Sequence, residues 1–424
     1  MQVTRILTKR FAENLDSFKP FEKAPLFAVA LSGGADSMAL CLLAKNYAQK
    51  NNGRIIALVV NHNLRPNALY EAEKTAQWCA QNDIFCEILT IDNPPETRIE
   101  ENARKMRYEL LFDACKRHNC LYLLTGHHAQ DLAETVLMRQ HHKSKTAGLS
   151  GFSVCESFEF GWLLRPLSGF YPEELRAFNK EQGVTWFEDE TNTDETFERA
   201  RLRKKITRKE IENALSIAGK SAVLRIQNEK ETADFLAKNV LFDASGVVFF
   251  KKRILFKTDK TDWLGHLLRF VGQKPYLPSS DSLNALFEKM REETFKGASL
   301  GGCFISPLAK GQLYICPEIN NMPEPKFISE AEHISFGMFD FSLNKPFTGM
   351  IRALGNEKPD EKIKIALPKR CFKILPAFFD KQGLFLVPHL GYKRKGIMYE
   401  MTFKTRRPAG RNVYFVFNRA VKSE

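Results

Sequence analysis

The chain has no Cys-x-x-Cys pair, although nine cysteines stand at positions 41, 79, 86, 115, 120, 155, 303, 316 and 371. No histidine-rich group accompanies them, which disfavours a zinc or iron–sulfur centre. Their odd number and irregular spacing suit free thiols in a reducing cytosol. Long apolar runs are missing too. No stretch approaches the ~20 apolar residues that cross a bilayer, and residues 1–19 lack a signal-type apolar core. The expectation is a soluble, cytoplasmic chain with no membrane partner. Walker A loops (GxxxxGK[ST]) and dinucleotide fingerprints (GxGxxG) are absent as well. Acidic residues are outnumbered, 50 against 63 basic ones, leaving a formal charge of +13. An excess of that size either meets a polyanion, most commonly nucleic acid, or merely keeps the surface soluble.

Apolar material is present in quantity. A hydrophobic fraction of 44% over 424 residues supports two or three cored domains. Apolar runs at Leu26–Leu31, Arg54–Val60, Phe85–Ile91 and Leu121–Thr125 alternate with helical patterns at Ser37–Gln49, Ala72–Asn82, Glu100–Arg117 and Asp131–Arg139. That alternation predicts an α/β fold, a doubly wound parallel sheet with helices on both faces. From Arg199 to Leu241 the text is highly charged and helical, a basic connector. Beyond it come β-like runs, GVVFFKKRILF and GQLYICP, around one amphipathic helix near Ser282–Arg291. The proline-containing stretch Pro317–Glu332 suits a second boundary, and strand patterns follow at Tyr399–Lys404 and Asn412–Phe417. The expected division is 1–204 for the α/β domain, 205–325 for the connector and 326–424 for a smaller, β-rich α+β domain.

The sharpest local feature is Ser32-Gly33-Gly34-Ala35-Asp36-Ser37, which ends the first strand and opens the first helix. Two glycines let amide N–H groups turn inward, hydroxyls flank them, and the helix N-terminus adds positive potential. Asp36 fits such a phosphate nest when a Mg²⁺ lies between carboxylate and phosphate. An ordinary strand–turn–helix corner needs only the capping serine, so the full pattern favours a nucleotide.

The loop resembles the SGGxDS loop of the PP-loop, or N-type ATP pyrophosphatase, superfamily, whose members split ATP into AMP and pyrophosphate. Further motifs follow in order: Asn61-His62-Asn63-Leu64-Arg65, Asn102-Ala103-Arg104-Lys105-Met106-Arg107-Tyr108, Thr125-Gly126-His127-His128, Asp131-Leu132-Ala133-Glu134-Thr135, Arg165-Pro166-Leu167, and Trp186-Phe187-Glu188-Asp189-Glu190-Thr191-Asn192-Thr193-Asp194 before Arg199 and Arg203. Over roughly the first half of the chain this series resembles the tRNA(Ile)-lysidine synthase family. Leu367-Pro368-Lys369-Arg370 and Val387-Pro388-His389-Leu390-Gly391 give a weaker echo later. Four positions depart from the family pattern: Asn63 replaces a glycine, Gln130 an aspartate, Leu132 a glutamine and Ala200 an asparagine.

The resemblance implies ATP and Mg²⁺ as cofactors, and a tRNA(Ile) with a CAU anticodon and free L-lysine as partners. The wobble cytidine is adenylated, and lysine then displaces AMP. On that reading Ser32, Gly33, Gly34, Ala35, Asp36 and Ser37 hold the pyrophosphate, with Asp36 the metal ligand. Asp131 and Glu134, three apart at a helix start, hold the lysine ammonium or a metal, or else only compensate the helix dipole. Arg104 and Arg107 neutralise the α-phosphate or RNA backbone, or else form a solvated face beside Glu100 and Glu101. His62 and His127 lie past strand ends, where adenine or ribose rests. The run Arg199, Arg201, Arg203, Lys204, Lys205, Arg208 and Lys209 is the main tRNA-backbone candidate, and a solvated connector is its alternative. Lys369, Arg370, Lys373 and Lys393-Arg394-Lys395 form a second basic patch. His141-His142 sits at a helix end with no role assigned. Oligomeric state is left open, a homodimer included. The rival readings are a PP-loop tRNA thiolase, disfavoured without Cys-x-x-Cys motifs, an amide-forming PP-loop synthetase such as NAD or GMP synthetase, and a non-catalytic RNA-binding protein.

Overall fold

The computed structural model describes residues 2–63, 67–92, 99–142, 146–158, 160–188, 198–359, 367–394 and 396–403. Arg65, Lys395, the motif residues 189–194, the side chains of Glu100 and Glu101 and the expected strand at 412–417 lie outside them. Two compact units are built on Met1–Asn228 and Glu229–Arg411.

The first unit runs α1 (Gln2–Asp16), β1 (Leu26–Ala30), α2 (Ala35–Lys50), β2 (Arg54–Asn61), α3 (Ala68–Gln81), β3 (Phe85–Thr90), α4 (Ile99–Arg117), β4 (Tyr122–Leu124), α5 (Ala129–His141), α6 (Thr146–Leu149), β5 (Cys155–Ser157), β6 (Trp162–Leu164), α7 (Pro172–Glu181), α8 (Glu198–Lys205) and α9 (Arg208–Asn239), the last running on past residue 228. Its sheet has the order β3-β2-β1-β4-β6-β5. All neighbours are parallel except β5, which pairs antiparallel with β6 at the edge. β1 is central because LFAVA is apolar on both faces, as a strand covered by helices on each side must be. Phe27 and Val29 enter one core with Phe11, Leu40, Phe170 and Phe178. Ala28 enters the other with Leu58, Leu111, Cys115 and Leu123. From β1 the chain winds one way through β2 and β3, whereas β4 and β6 lie on the opposite side. The gap between β1 and β4 is therefore a topological switch point, where the loops at the carboxyl ends diverge and leave a crevice.

The second unit contains β7 (Val240–Phe242), β8 (Val248–Lys251), α10 (Asp262–Val271), α11 (Ser280–Arg291), β9 (Ala298–Leu300), β10 (Cys303–Leu308), β11 (Gln312–Pro317), β12 (Lys326–Phe336), β13 (Phe339–Ala353), α12 (Lys369–Phe372), β14 (Pro376–Asp380), β15 (Gly383–Val387), β16 (Tyr392–Lys393) and β17 (Tyr399–Phe403). One antiparallel sheet, β7-β8-β11-β10-β9, carries α10 and α11 over a core of Phe250, Trp263, Leu267, Phe287 and Ile305. The other runs β12-β13-β14-β15-β16, with β17 added to β13.

Among the described residues five helices escape the sequence reading, α1, α6, α7, α10 and α12. α1 lies in the segment read only as mixed polar and apolar, and it buries Leu7, Phe11 and Leu15. α10 (DWLGHLLRFV) carries a polar stripe of Asp262, His266 and Arg269 at helical spacing, but it is short and even His266 and Arg269 are buried. The run GVVFFKKRILF also divides: Val248–Lys251 is strand and Lys252–Phe256 a 3-10 turn. Within the described residues no helix is long and apolar enough to cross a membrane.

Candidate active site

The loop between β1 and α2 is held by its own side chains. Ser37 Oγ donates to Gly34 O at 3.0 Å, accepts from Ser32 N at 3.1 Å and lies 3.1 Å from Ser32 Oγ. Gly33 has φ +81°, and a Cβ there would sit 2.7 Å from Thr75 Oγ1 and 3.0 Å from Phe187. Only glycine fits both the angle and the space. Phe187 N donates to Gly33 O at 3.0 Å, tying the segment after α7 to the loop. From below, the buried Asn179 donates to Ala35 O at 2.8 Å. The end of β4 closes on the same loop, since a Cβ on Gly126 would meet Ser37 N at 3.3 Å. The hexapeptide thus opens α2 with its amides at the switch point.

Beyond β4, the sequence singled out His127 but gave no role to His128. His128 caps α5: its ring accepts from Asp131 N at 3.3 Å, while its own N–H donates to Asp131 Oδ2 at 3.0 Å. The far ring nitrogen lies 3.5 Å from Asp36 Oδ2. His128 therefore links the loop carboxylate to the α5 carboxylate. Burial opposes charge on this ring, but Asp131 and Asp36 outweigh it and raise its pKa. Asp131 is held low in turn: burial opposes its ionisation, and His128, Arg199 and His127 more than offset that. A histidine three residues before an aspartate at a helix start is a local signal for the His128–Asp131 cap, though not for the contact with Asp36.

Asp131 and Glu134 share one face of α5, and α8 meets that face. Arg199 donates to Glu134 Oε2 at 2.7 Å and to Asp131 Oδ1 at 2.9 Å. Arg203 donates to Glu134 at 2.8 and 3.0 Å and to Asp131 Oδ1 at 3.0 Å. Glu134 is fully buried, and these guanidiniums satisfy it. The four-residue spacing of the arginines on α8 puts both on one side. Arg199 and Arg203, expected along the tRNA backbone, thus face the acidic pair expected to take lysine. Arg201, Lys204 and Lys205 are exposed on the same helix. In the second unit Lys369 and Arg370 are exposed on α12, with Arg370 stacked 3.6 Å over Phe304.

A second charged group gathers around Tyr108. Arg104 and Arg107 lie 5.1 and 5.4 Å from its ring. Burial raises the Tyr108 pKa, yet Arg104, Arg165 and Arg107 pull it down overall. His127 is pushed well below the ordinary histidine range, first by burial and then by Arg165, with Arg104 and Arg107 adding to it. It is therefore neutral, with Nδ1 2.9 Å from Thr125 Oγ1. Among the described residues, Arg107 Nε and Arg165 Nε are buried without a hydrogen-bond partner, although Arg165 donates through its terminal nitrogens to Ser153 O and Glu156. Buried cations with unmet donors are the setting in which an anion is stabilised most. His62 is half-buried just past β2.

Three of the four departures from the family pattern have a local setting that accommodates them, and nothing in the structure explains Gln130. Asn63 has φ +52°, a left-handed conformation that asparagine tolerates better than most residues other than glycine. Leu132 and Ala200 are buried, and Leu132 joins Val136, Ile211 and Ala214 in the core between α5 and α9.

A parallel sheet with this loop at its switch point defines a PP-loop protein, a class that uses ATP. Residues 6–210 match the PP-loop domain family. The tRNA(Ile)-lysidine synthase of Mesorhizobium japonicum is 33% identical over 276 residues, 62% of this chain and 61% of that protein. That of Hyphomonas neptunium is 32% identical over 308 residues, covering 70% of this chain and 82% of its own length. That of Rickettsia bellii is 25% identical over 397 residues, 90% and 91% of the two chains. The chain belongs to the tRNA(Ile)-lysidine synthase family. A solved U34-tRNA thiolase from Methanococcus maripaludis covers 51% of this chain and 78% of its own at 18% identity and a TM-score of 0.44, too distant to bear on substrate.

Proposed function

We propose that this chain converts the wobble cytidine of a CAU-anticodon tRNA(Ile) to lysidine, using ATP and free L-lysine in the cytoplasm. The observation that carries the reading is a nest-shaped loop at the switch point together with a cluster of cations around Tyr108 and His127. The loop amides and hydroxyls of residues 32–37 are one set; Arg104, Arg107 and Arg165, whose charges all act on His127 just past β4, are the other. The first set suits the leaving pyrophosphate and the second the α-phosphate under attack by the cytidine oxygen.

Asp36 is the carboxylate at the mouth of the loop, with about a third of its side chain exposed, 36%. One carboxylate beside substrate phosphates is how Mg²⁺ is usually held, so the residues fit that ion. Bound there, it would neutralise charge on the departing phosphates. His128 fixes Asp36 from behind. Neutral His127 sits where a hydrogen bond to the nucleotide needs no extra charge. Asp131 and Glu134 are the acids that a lysine amine meets, and in this structure they orient Arg199 and Arg203. Admitting lysine would exchange guanidinium for ammonium on at least one of these oxygens. Arg201, Lys204 and Lys205, with Lys369 and Arg370, supply tRNA-backbone contacts.

The test is radiolabelled lysine, ATP and total tRNA. The reading predicts label in CAU-anticodon tRNA, with one AMP formed per lysine. Lysine-independent pyrophosphate release with sulfur incorporation would point to a thiolase, and no release at all to a binding protein.

A further inference from the structure

We infer that His141, His142 and Glu198 form a binding site for one divalent transition ion with Zn²⁺-like preferences. His141 is the last residue of α5, His142 caps that helix, and Glu198 is the first residue of α8. The candidate ligand atoms all lie within 4.8 Å of one another. His141 Nδ1 is 3.6 Å from Glu198 Oε1, and His142 Nε2 is 3.5 Å from Glu198 Oε2. Those gaps exceed a good hydrogen bond, so the three side chains are gathered without bonding one another well. Two ligands on one tetrahedral Zn²⁺ are separated by about 3.3 Å, given bond lengths near 2.0–2.1 Å. The two His–Glu gaps need only a few tenths of an ångström of closure, and the two imidazoles, whose ligand atoms lie within 4.8 Å, approach by up to about 1.5 Å through rotation of exposed side chains.

Two imidazoles and a carboxylate select zinc, nickel or copper over magnesium or calcium. The histidine side chains are 81% and 65% exposed, so an ion has an open path and water completes its coordination. The site lies at the opposite end of α5 from Asp131, and none of its residues enters the proposed chemistry.

Its consequence follows from chain order. Glu198 immediately precedes Arg199, which bonds Glu134 and Asp131. An ion joining the end of α5 to the start of α8 clamps the two helices whose charges interlock between them. Zn²⁺ would thus stiffen the α5–α8 pair from outside the crevice, whatever reaction the crevice performs.

The experiment uses the full chain stripped with chelator and titrated with Zn²⁺ against a chromogenic competitor. One equivalent should bind. The double variant His141→Ala/His142→Ala should lose it, and Glu198→Gln should weaken it more than about tenfold. Zn²⁺ should raise the Tm of the parent and leave that of the double variant unchanged. Co²⁺ in place of Zn²⁺ should give a visible absorption band in the parent alone. Matching metal-free melting curves would show that the variants keep the fold, as their exposure leads one to expect. An unchanged equivalent in the double variant would assign the ion to the thiols and overturn the inference, as would no binding by the parent.

Discussion

At the level of single residues, the proposed reading gives Asp36 the chemistry and His128 its support. Asp36→Ala removes the carboxylate facing the phosphates and touches none of the exposed cations of α8. It should lower the adenylation rate at least about a hundredfold while tRNA affinity in a filter-binding assay stays nearly constant. A parallel loss of tRNA affinity would show that chemistry and docking are not separate. His128 makes a pH prediction. Its folded pKa lies above the ordinary 6.5, so its stabilisation is complete below 6.5 and fades as pH rises through the raised folded value. Asp131 is held below 3.8, so its share is present above 3.8 and is lost as pH falls through the lowered folded value. The two charges coexist fully between those limits. His128→Gln should therefore cost more stability near pH 5 than near pH 8.5, about, when urea unfolding of parent and variant is compared. A cost that is flat or grows with pH would contradict the bridge. The loop residues were legible in the sequence because a phosphate nest has a local spelling. His128 was not, because its role depends on Asp36, which is distant in sequence and brought close only by β1 and β4 pairing.

At the level of elements, the crevice depends on two joints. Gly33 is the first. Its φ of +81° and the 2.7 Å approach of Thr75 predict that Gly33→Ala costs about 1–3 kcal/mol and weakens ATP binding, measured by denaturation and nucleotide titration. An unstrained alanine variant would mean that the loop relaxes freely. The second joint is α5 against α8. Glu134→Ala strips three hydrogen bonds from Arg199 and Arg203. These arginines are 42% and 29% exposed, so water can take over part of the loss, leaving about 2 kcal/mol. Amide exchange should accelerate in α8 and remain unchanged in α2. Uniform acceleration across the first unit would contradict a local joint. Strands β1 to β4 were readable because they give continuous apolar runs, whereas β6, only Trp162–Leu164, is too short to carry such a signal. The pairing of α8 with α5 was not, since a basic run beside an acidic pair reads equally well as two solvated faces.

At the level of the whole molecule, the surplus of cations, +13, is not spread evenly in purpose. Part of it is consumed inside the crevice by Arg199 and Arg203, and part remains exposed at Arg201, Lys204 and Lys205. Replacing Lys204 and Lys205 with glutamine should reduce the slope of log affinity for tRNA against log salt by about 1–2, with adenylation of saturating tRNA little changed. An unaltered slope would return these lysines to a solubilising role.

The account rests on the amides of residues 32–37 gripping the diphosphate that leaves. A crystal structure with a non-hydrolysable ATP analogue tests this most directly. The β- and γ-phosphates should lie against Gly33, Gly34 and Ser37, with the α-phosphate turned toward Arg104 and Arg107. A triphosphate bound elsewhere, with the hexapeptide free of it, would contradict the account.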